Sequence, residues 1–247
     1  MLNSKKIVIV LPAYNASRTL ELTIRAIPDL ADAIVVVDDY SADDTFRIAS
    51  ALGVDKLVRH PENMGYGANQ KTCYKEALAL NADIILMLHP DYQYSPQMIP
   101  AMCAAIAYGE YDVALGSRIL GKGALSGGMP VYKYFFNRIL TLVQNILINQ
   151  KMSEYHSGFR AYKADVLRNI PFESNSNDFV FDNELICQVL KKGFKVCEVS
   201  CPTRYDESSS SINFRRSVIY GLGVLKVSLL YFLDSLGIYR AKLFSDQ

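Results

Sequence analysis

What this chain does not contain excludes several classes of protein. Of its 247 residues, 26 are Lys or Arg and 25 are Asp or Glu. There is thus no basic excess to track a phosphate backbone, and no nucleic-acid partner is expected. Its five cysteines (Cys73, Cys103, Cys187, Cys197, Cys201) are odd in number and hold no CxxC pair. Reduced thiols are the expectation, with Cys197 and Cys201 packing in the core rather than binding metal. No GxGxxG fingerprint follows a strand-like run, which argues against an ordinary dinucleotide site. Met1–Lys6 leads straight into a strand pattern without the apolar region and cleavage site of a signal peptide. A charge-free apolar run of about 20 residues, as a spanning helix needs, is also missing. The C-terminal segment Val218–Ile238 is mostly apolar but is interrupted by Lys226 and Asp234. It is expected to lie on a membrane or pack on a partner, leaving room for self-association through this helix. Neither an internal repeat nor a linker is visible.

What is present alternates. Ile7–Leu11, Ala33–Val37, Lys56–Arg59, Ile84–Leu88 and Val113–Leu115 read as short buried strands. Helical patterns lie between them at Arg18–Ile27, Asp43–Leu52, Ala68–Leu80 and Pro96–Tyr108, with Ser17 and Ser41 as N-caps of the first two. Repeated βαβ units predict an α/β fold whose mostly parallel central sheet is flanked by helices. In the second half, Gly121–Gly128 reads as a mobile loop and Val131–Asn149 as a long amphipathic helix. A strand follows at Tyr155–Tyr162, a helix at Asp182–Lys192, a strand at Lys195–Val199 and a Ser-rich loop at Asp206–Ser211. Residues 1–213 are expected to form one domain and 214–247 a C-terminal helical appendage, amphipathic or membrane-associating.

Chemistry-bearing residues gather at the ends of the strand patterns, where open α/β sheets bind ligands. The fourth strand stops at His89-Pro90-Asp91-Tyr92-Gln93. In extended chain His89, Asp91 and Gln93 project to one side. One imidazole among oxygen donors suits Mg²⁺ or Mn²⁺, although Pro90 and Asp91 could equally end a strand and nothing more. The first strand ends at Pro12-Ala13-Tyr14-Asn15 and the second at Asp38-Asp39-Tyr40-Ser41. These residues can receive a base or ribose, or Asp38, Asp39 and Ser41 can simply open the next helix. Asn63-Met64-Gly65-Tyr66-Gly67-Ala68-Asn69 has glycines that permit close backbone approach to a ligand. Asp182 and Glu184 are either general bases or first-turn acids favoured by the helix dipole. Arg118 either contacts a phosphate or forms a surface ion pair. The stripe Phe135, Ile139, Leu142, Val143 and Ile146 is either core packing or a lipid-facing surface. Arg215-Arg216 adds a basic edge suited to anionic lipid.

Six elements occur in one order: Pro12-Ala13-Tyr14-Asn15; Val37-Asp38-Asp39-x-Ser41-x-Asp43-x-Thr45; Asn63-x-Gly65-x-Gly67; His89-x-Asp91; Gly116-Ser117-Arg118; and Ser157-Gly158-Phe159-Arg160. Together they resemble the family 2 glycosyltransferases of GT-A fold, nearest the polyprenyl-phosphate sugar synthases of dolichyl-phosphate mannose type. The resemblance spans roughly residues 5–205.

That resemblance implies an inverting, metal-dependent glycosyltransferase using a UDP- or GDP-sugar. The acceptor would be a polyprenyl phosphate or a lipid-linked glycan, at the cytoplasmic face of the membrane with peripheral membrane contact. The donor would be held by Pro12, Ala13, Tyr14, Asn15, Asp38, Asp39, Gly65, Gly67, Asn69, Lys71, His89, Pro90, Arg118, Ser157 and Gly158. His89, Asp91 and Gln93 would bind the ion, with Asp91, Asp182, Glu184 and Arg160 as catalytic residues. Two departures stand out. His89 replaces the first carboxylate of an Asp-x-Asp pair, removing one negative charge from the metal site. The loop Arg204–Ser211 lacks the Arg-x-x-Gly-x-Ser spacing of the synthases. The alternatives are transfer to a sugar hydroxyl in surface polysaccharide synthesis, with Asp182 or Glu184 as base, and non-catalytic nucleotide-sugar binding.

Overall fold

The computed structural model describes residues 2–121, 123–203, 205 and 214–245. The β-branched runs become strands in alternation with helices: β1 (Ile7–Ala13), α1 (Leu20–Arg25), β2 (Ala33–Asp38), α2 (Thr45–Ala51), β3 (Lys56–Arg59), α3 (Tyr66–Ala79), β4 (Ile84–Met87), α4 (Ile99–Ala107) and β5 (Val113–Ser117). The second half adds α5 (Gly123–Ser126), α6 (Val131–Ile148), β6 (Arg160–Lys163), α7 (Ala164–Asn169), α8 (Phe181–Lys191), β7 (Val196–Ser200) and α9 (Phe214–Ser235).

Seven strands form one sheet in the order β3-β2-β1-β4-β6-β5-β7. All pairings are parallel except those of β6, which runs antiparallel between β4 and β5. Strand residues alternate between two apolar layers, because successive side chains leave opposite faces. Val8, Val10, Val35, Val37 and Met87 pack with Tyr74, Phe181 and Leu185. Ile7, Ile9, Leu11 and Leu86 pack with Leu20, Ile99 and Met102 on the other side. Each such aliphatic side chain contributes about 1.5–3 kcal/mol on full burial. Register brings Ala13 opposite Asp38, Asp38 opposite Arg59 and Met87 opposite Arg160. The polar termini of β1, β2 and β4 therefore meet at one edge.

The α/β expectation holds, and several local expectations change. Neither Ser17 nor Ser41 caps a helix, because α1 begins at Leu20 and α2 at Thr45. Ser41 Oγ instead accepts from Asn15 N–H at 2.8 Å, and Asp43 joins Ser17 N–H to Thr45 N–H. The strand expected at Tyr155–Tyr162 is confined to Arg160–Lys163, since Glu154 to Ser157 serve as side-chain and carbonyl partners for Arg118 and Arg160. Within the Gly-rich segment, α5 forms, and a Cβ on Gly127 would collide with the Thr203 carbonyl. The Ser-rich loop Asp206–Ser211 and Arg204 lie outside the described residues.

Helix α6 is inverted for a soluble protein. Its inward residues are Asn137, Thr141, Gln144 and Ile148. At the same spacing Phe135, Ile139, Leu142 and Ile146 face outward, between 41% and 68% exposed. Helix α9 packs on α6 and α8. Arg215–Ser235 is long and apolar enough, by length and composition, to cross a membrane. Val224, Val227 and Ser228 are buried, while Val218, Ile219, Leu222 and Leu229 are exposed.

Candidate active site

At the shared edge, β1 ends in exposed Tyr14 and β2 in exposed Tyr40. Pro12, Ala13 and Asp38 are buried beneath them. Asp38 accepts from Ser41 N–H and pairs with Arg59 at 3.2 Å. The Arg59 guanidinium lies over the rings of Tyr40 and Phe46, at 5.6 and 5.1 Å from their centroids. Asn15, in the left-handed region at φ 51°, accepts from Ala42 N–H through Oδ1. The β1 and β2 termini are thereby tied together, presenting two tyrosine faces that can stack on a base.

Asp39 is buried and acts on the loop behind it. Its carboxylate accepts from Met64 N–H at 2.9 Å and Gly65 N–H at 3.0 Å, and pairs with His60 Nδ1 at 2.7 Å. At the next helix start the glycines make room for another segment of this chain. Gly67 N–H donates to the Asn177 carbonyl at 2.8 Å. A Cβ on Gly65 would sit 2.6 Å from Asn177 O, and one on Gly67 would collide with Ser176 O. The close approach is thus between two segments of this chain. Lys71 joins the same contact by donating to the Asn175 carbonyl and, at 2.7 Å, to Asn177 Oδ1. Asn69 is buried and donates to the Ala13 carbonyl at 3.2 Å.

The end of β4 opens onto a cleft of about 680 Å³. His89, Asp91, Gln93, Gly158 and Asp182 line its polar end. Pro90 is buried, with its carbonyl accepting from Thr23 Oγ1 at 3.2 Å. Gln93 N–H donates to Asp91 Oδ1 at 3.1 Å, closing a tight turn. Tyr66 donates its phenol proton to Asp182 Oδ2 at 2.7 Å and meets His89 Nε2 at 3.1 Å. Burial, and then the Asp182 charge, hold the Tyr66 phenol well above its ordinary pKa. The second Asp182 oxygen accepts from Gln70 Nε2 at 3.2 Å. Glu184, the other base candidate, accepts from Ser176 N–H at 2.6 Å and is not among the cleft-lining residues. Burial raises its pKa.

Two arginines expected at phosphates are engaged within the protein. Arg160 is fully buried and donates to the carbonyls of Ser157, Asp182 and Tyr155 at 2.6–2.8 Å. Its donors meet carbonyls of the chain itself, where a phosphate contact was expected. Arg118 borders the cleft, but its guanidinium bonds buried Glu154, the His156 carbonyl and Tyr205 Oη. Burial pushes the Glu154 carboxyl up, yet the Arg118 charge and hydrogen bonds prevail and hold it below its ordinary value. Ser157 Oγ accepts from Phe159 N–H at 3.2 Å, and Gly158 lies against His89 because a Cβ there would collide with His89 Nε2.

Among the described residues no group of three His, Cys, Asp or Glu could hold a metal ion alone. An imidazole, a carboxylate and an amide still fit Mg²⁺ or Mn²⁺ where substrate phosphates and water complete the shell.

Residues 8–170 match the model of Glycosyl transferase family 2. The chain belongs to that family. An uncharacterized protein of Methanocaldococcus jannaschii is 31% identical over 91% of both chains. The UDP-N-acetylglucosamine–dolichyl-phosphate N-acetylglucosaminyltransferase of Methanococcus voltae is 24% identical, over 90% of this chain and 97% of its own. Dolichol-phosphate mannosyltransferase of Pyrococcus furiosus is 29% identical over 78% of this chain, which spans 55% of that protein. Among solved structures, Mycobacterium tuberculosis glucosyl-3-phosphoglycerate synthase with Mg²⁺ and UDP aligns at TM-score 0.71 and 20% identity, over 96% of this chain and 82% of that one. That likeness establishes the GT-A fold.

The family 2 glycosyltransferase thus has a cleft lined by His89, Asp91, Gln93 and Asp182, while Arg160, Glu184 and Lys71 brace its surroundings. Tyr66 was not among the expected site residues, whereas Tyr40 lies in the strand end expected to receive a base. A ring between two glycines at a helix start was the available signal for Tyr66.

Proposed function

We propose that this enzyme transfers a sugar, with inversion, from a UDP- or GDP-sugar to a polyprenyl phosphate at the inner face of the cytoplasmic membrane. The observation that carries this reading is the composition of the cleft. From His89, Asp91 and Asp182 its lining continues to Tyr132, Phe136, Ile139 and Leu140 of α6 and Leu222 and Leu225 of α9. One cleft therefore joins a site for charged groups to an apolar lining that suits an isoprenoid tail. Lys133 and Arg216 also line it. The two similar proteins named as dolichyl- and dolichol-phosphate transferases support the same acceptor class.

The outward apolar face of α6 and the exposed apolar residues of α9 supply a surface for the membrane interface. In this reading residues 1–213 are the catalytic unit, and the segment 214–247 completes the acceptor wall while resting on lipid.

In the reaction, Tyr14 and Tyr40 flank the base, and Asp38 and Asp39 hold the loops that shape the nucleoside site. His89, Asp91 and Gln93 would hold the divalent ion, which would supply positive charge to offset that on the departing nucleoside diphosphate. A phosphate oxygen of the acceptor attacks the anomeric carbon from the face opposite the diphosphate. The new C–O bond forms as the old one breaks, and its electron pair leaves on the diphosphate. The acceptor is already an anion and needs no base. This agrees with a cleft carboxylate, Asp182, that is already hydrogen-bonded by Tyr66 and Gln70.

The test supplies UDP- and GDP-sugars with Mn²⁺, and either polyprenyl phosphate in vesicles or sugar-hydroxyl acceptors. Label should pass to polyprenyl phosphate with inverted anomeric configuration. Transfer only to hydroxyl acceptors would establish the polysaccharide reading instead, and no turnover with any acceptor would leave donor binding as the function.

A further inference from the structure

Three side chains from distant parts of the chain form one hydrogen-bonded line: Asp182 on α8, Tyr66 at the start of α3, and His89 beyond β4. Proton directions along it follow from donor inventories. An ionised carboxylate only accepts, so the phenol proton points to Asp182 Oδ2 across 2.7 Å. The Tyr66 oxygen then presents a lone pair to His89 Nε2 at 3.1 Å, and Nε2 must carry the hydrogen. The ring is held on both sides. Tyr66 stacks on it with centroids 5.6 Å apart, and Gly158 leaves no room for a Cβ beside Nε2 and Cδ2. Tyr66 is itself stacked on Phe179, with centroids 4.9 Å apart.

His89 Nδ1 has no hydrogen bond within the described residues, and it is not among the buried side-chain atoms lacking a partner. His89 lines the cleft, and Nδ1 is the ring nitrogen that the Tyr66 contact leaves unengaged. A neutral imidazole protonated at Nε2 has its lone pair on Nδ1, the form in which histidine binds a metal.

We propose that Tyr66, anchored by Asp182, is a positioning residue that fixes His89 in the Nε2–H tautomer and aims Nδ1 at the divalent ion. The site then offers nitrogen and oxygen donors together, and takes Mn²⁺ in preference to Mg²⁺. This deepens the metal-dependent reading above and rests on it. A hydrogen-bonded carboxylate behind a ligating histidine is a general means of orienting the ring. Here a tyrosine extends that connection by one step. The imidazole that replaces a carboxylate thereby becomes a directed ligand, and the lower charge of the set favours the more nitrogen-tolerant ion.

The test needs no turnover. The chain has three histidines, so long-range ¹H–¹⁵N spectra of labelled protein without metal, compared with His89→Gln, identify the His89 tautomer. Wild type should show Nε2–H alone, whereas Tyr66→Phe, which keeps the ring on Phe179, should show a mixture. Mn²⁺ binding in the presence of UDP, read by electron paramagnetic resonance, should weaken about tenfold in Tyr66→Phe. His89→Asp should shift the Mn²⁺-to-Mg²⁺ affinity ratio toward Mg²⁺. An Nδ1–H tautomer in wild type overturns the proposal. So does unchanged Mn²⁺ affinity in Tyr66→Phe, or an unchanged ion ratio in His89→Asp. Normal sugar transfer with metal affinity indifferent to both residues defeats this inference alone. Intact Mn²⁺–UDP binding through His89 without transfer defeats the acceptor reading alone.

Discussion

Tyr66 and Asp182 lie 116 positions apart in sequence and meet at 2.7 Å in the polar end of the cleft, phenol donating to carboxylate. With Gln70 on the other oxygen, both Asp182 oxygens have protein donors before any substrate enters. These donors fix where the carboxylate sits, while each oxygen keeps a second lone pair.

The first prediction follows directly. Asp182→Asn removes any base but keeps an oxygen for Tyr66. Transfer to polyprenyl phosphate should fall by less than about tenfold, whereas loss of a working general base costs about 100-fold or more. Initial rates with saturating donor decide between them. A collapse of the larger size would mean that Asp182 deprotonates the acceptor and that the acceptor is a hydroxyl.

Asp91 gives the second prediction. It is the one carboxylate of the His89-Pro90-Asp91-Tyr92-Gln93 turn and lines the cleft. Asp91→Ala should lower metal-stimulated turnover by about 100-fold or more, with little change in melting temperature. Chelation of the wild type should reproduce the loss, and added Mn²⁺ should restore only the wild type. Equal metal response in the two proteins would remove Asp91 from the ion.

Much of this geometry was legible in the chain because it depends on local patterns. β-branched runs bounded by polar residues specify buried parallel strands, and strand termini in such sheets are ligand edges, so the Asp38 and His89 segments could be located before the fold was known. Contacts between distant segments were not legible. Gly65 and Gly67 read as making room for a ligand, but the group approaching them belongs to residues 176–177. Arg118 and Arg160 carried the charge expected of phosphate binders, yet Glu154 and several carbonyls use their donors. Helix α6 shows periodicity without polarity. The spacing revealed two faces, but only packing showed that Asn137, Thr141 and Gln144 are the inner one.

Gly67 supplies the third prediction. A methyl group at Gly67 meets the Ser176 carbonyl and Phe181 Cβ, neither of which is the end of a flexible side chain. Gly67→Ala should destabilise the fold by about 1–3 kcal/mol, the usual cost of overpacking a filled site. Urea unfolding measures this. An unchanged midpoint would show that the 176–177 segment yields without cost.

The fourth prediction concerns Arg118 and Glu154, an ion pair whose carboxylate is fully buried and whose guanidinium is 13% exposed. Glu154 also accepts from Asn137 Nδ2 at 2.8 Å, which links it to the inner face of α6. Removing one partner leaves a buried charge uncompensated and costs about 3–5 kcal/mol, so Arg118→Met should be far less stable than wild type. The double variant Arg118→Met with Glu154→Met should recover part of that loss. If Arg118→Met unfolds at the wild-type urea concentration, the guanidinium is not tied to the fold and is available to a substrate phosphate.

His156 ties pH to stability. Its Nδ1 meets Tyr220 Oη of α9 at 3.0 Å, and its Nε2 is buried without a partner among the described residues. Burial lowers its pKa from 6.5 to about 4, with the Arg118 and Arg160 charges adding to the shift and Glu154 opposing it. The sign follows from proton counts. Above pH 6.5 the ring is neutral in both states and contributes no pH dependence. Between 6.5 and about 4 the unfolded chain binds a proton that the folded chain refuses, so unfolding becomes easier as pH falls. Below about 4 both states are protonated and the loss is complete. That loss is at most about 3 kcal/mol. His156→Gln lacks the titrating group, so its stability should fall less than that of wild type between pH 7 and pH 4, although carboxylates titrate in both. Parallel urea titrations at those two pH values give the difference directly. Equal losses in the two proteins would mean that His156 takes up its proton in the folded state as easily as in the unfolded one.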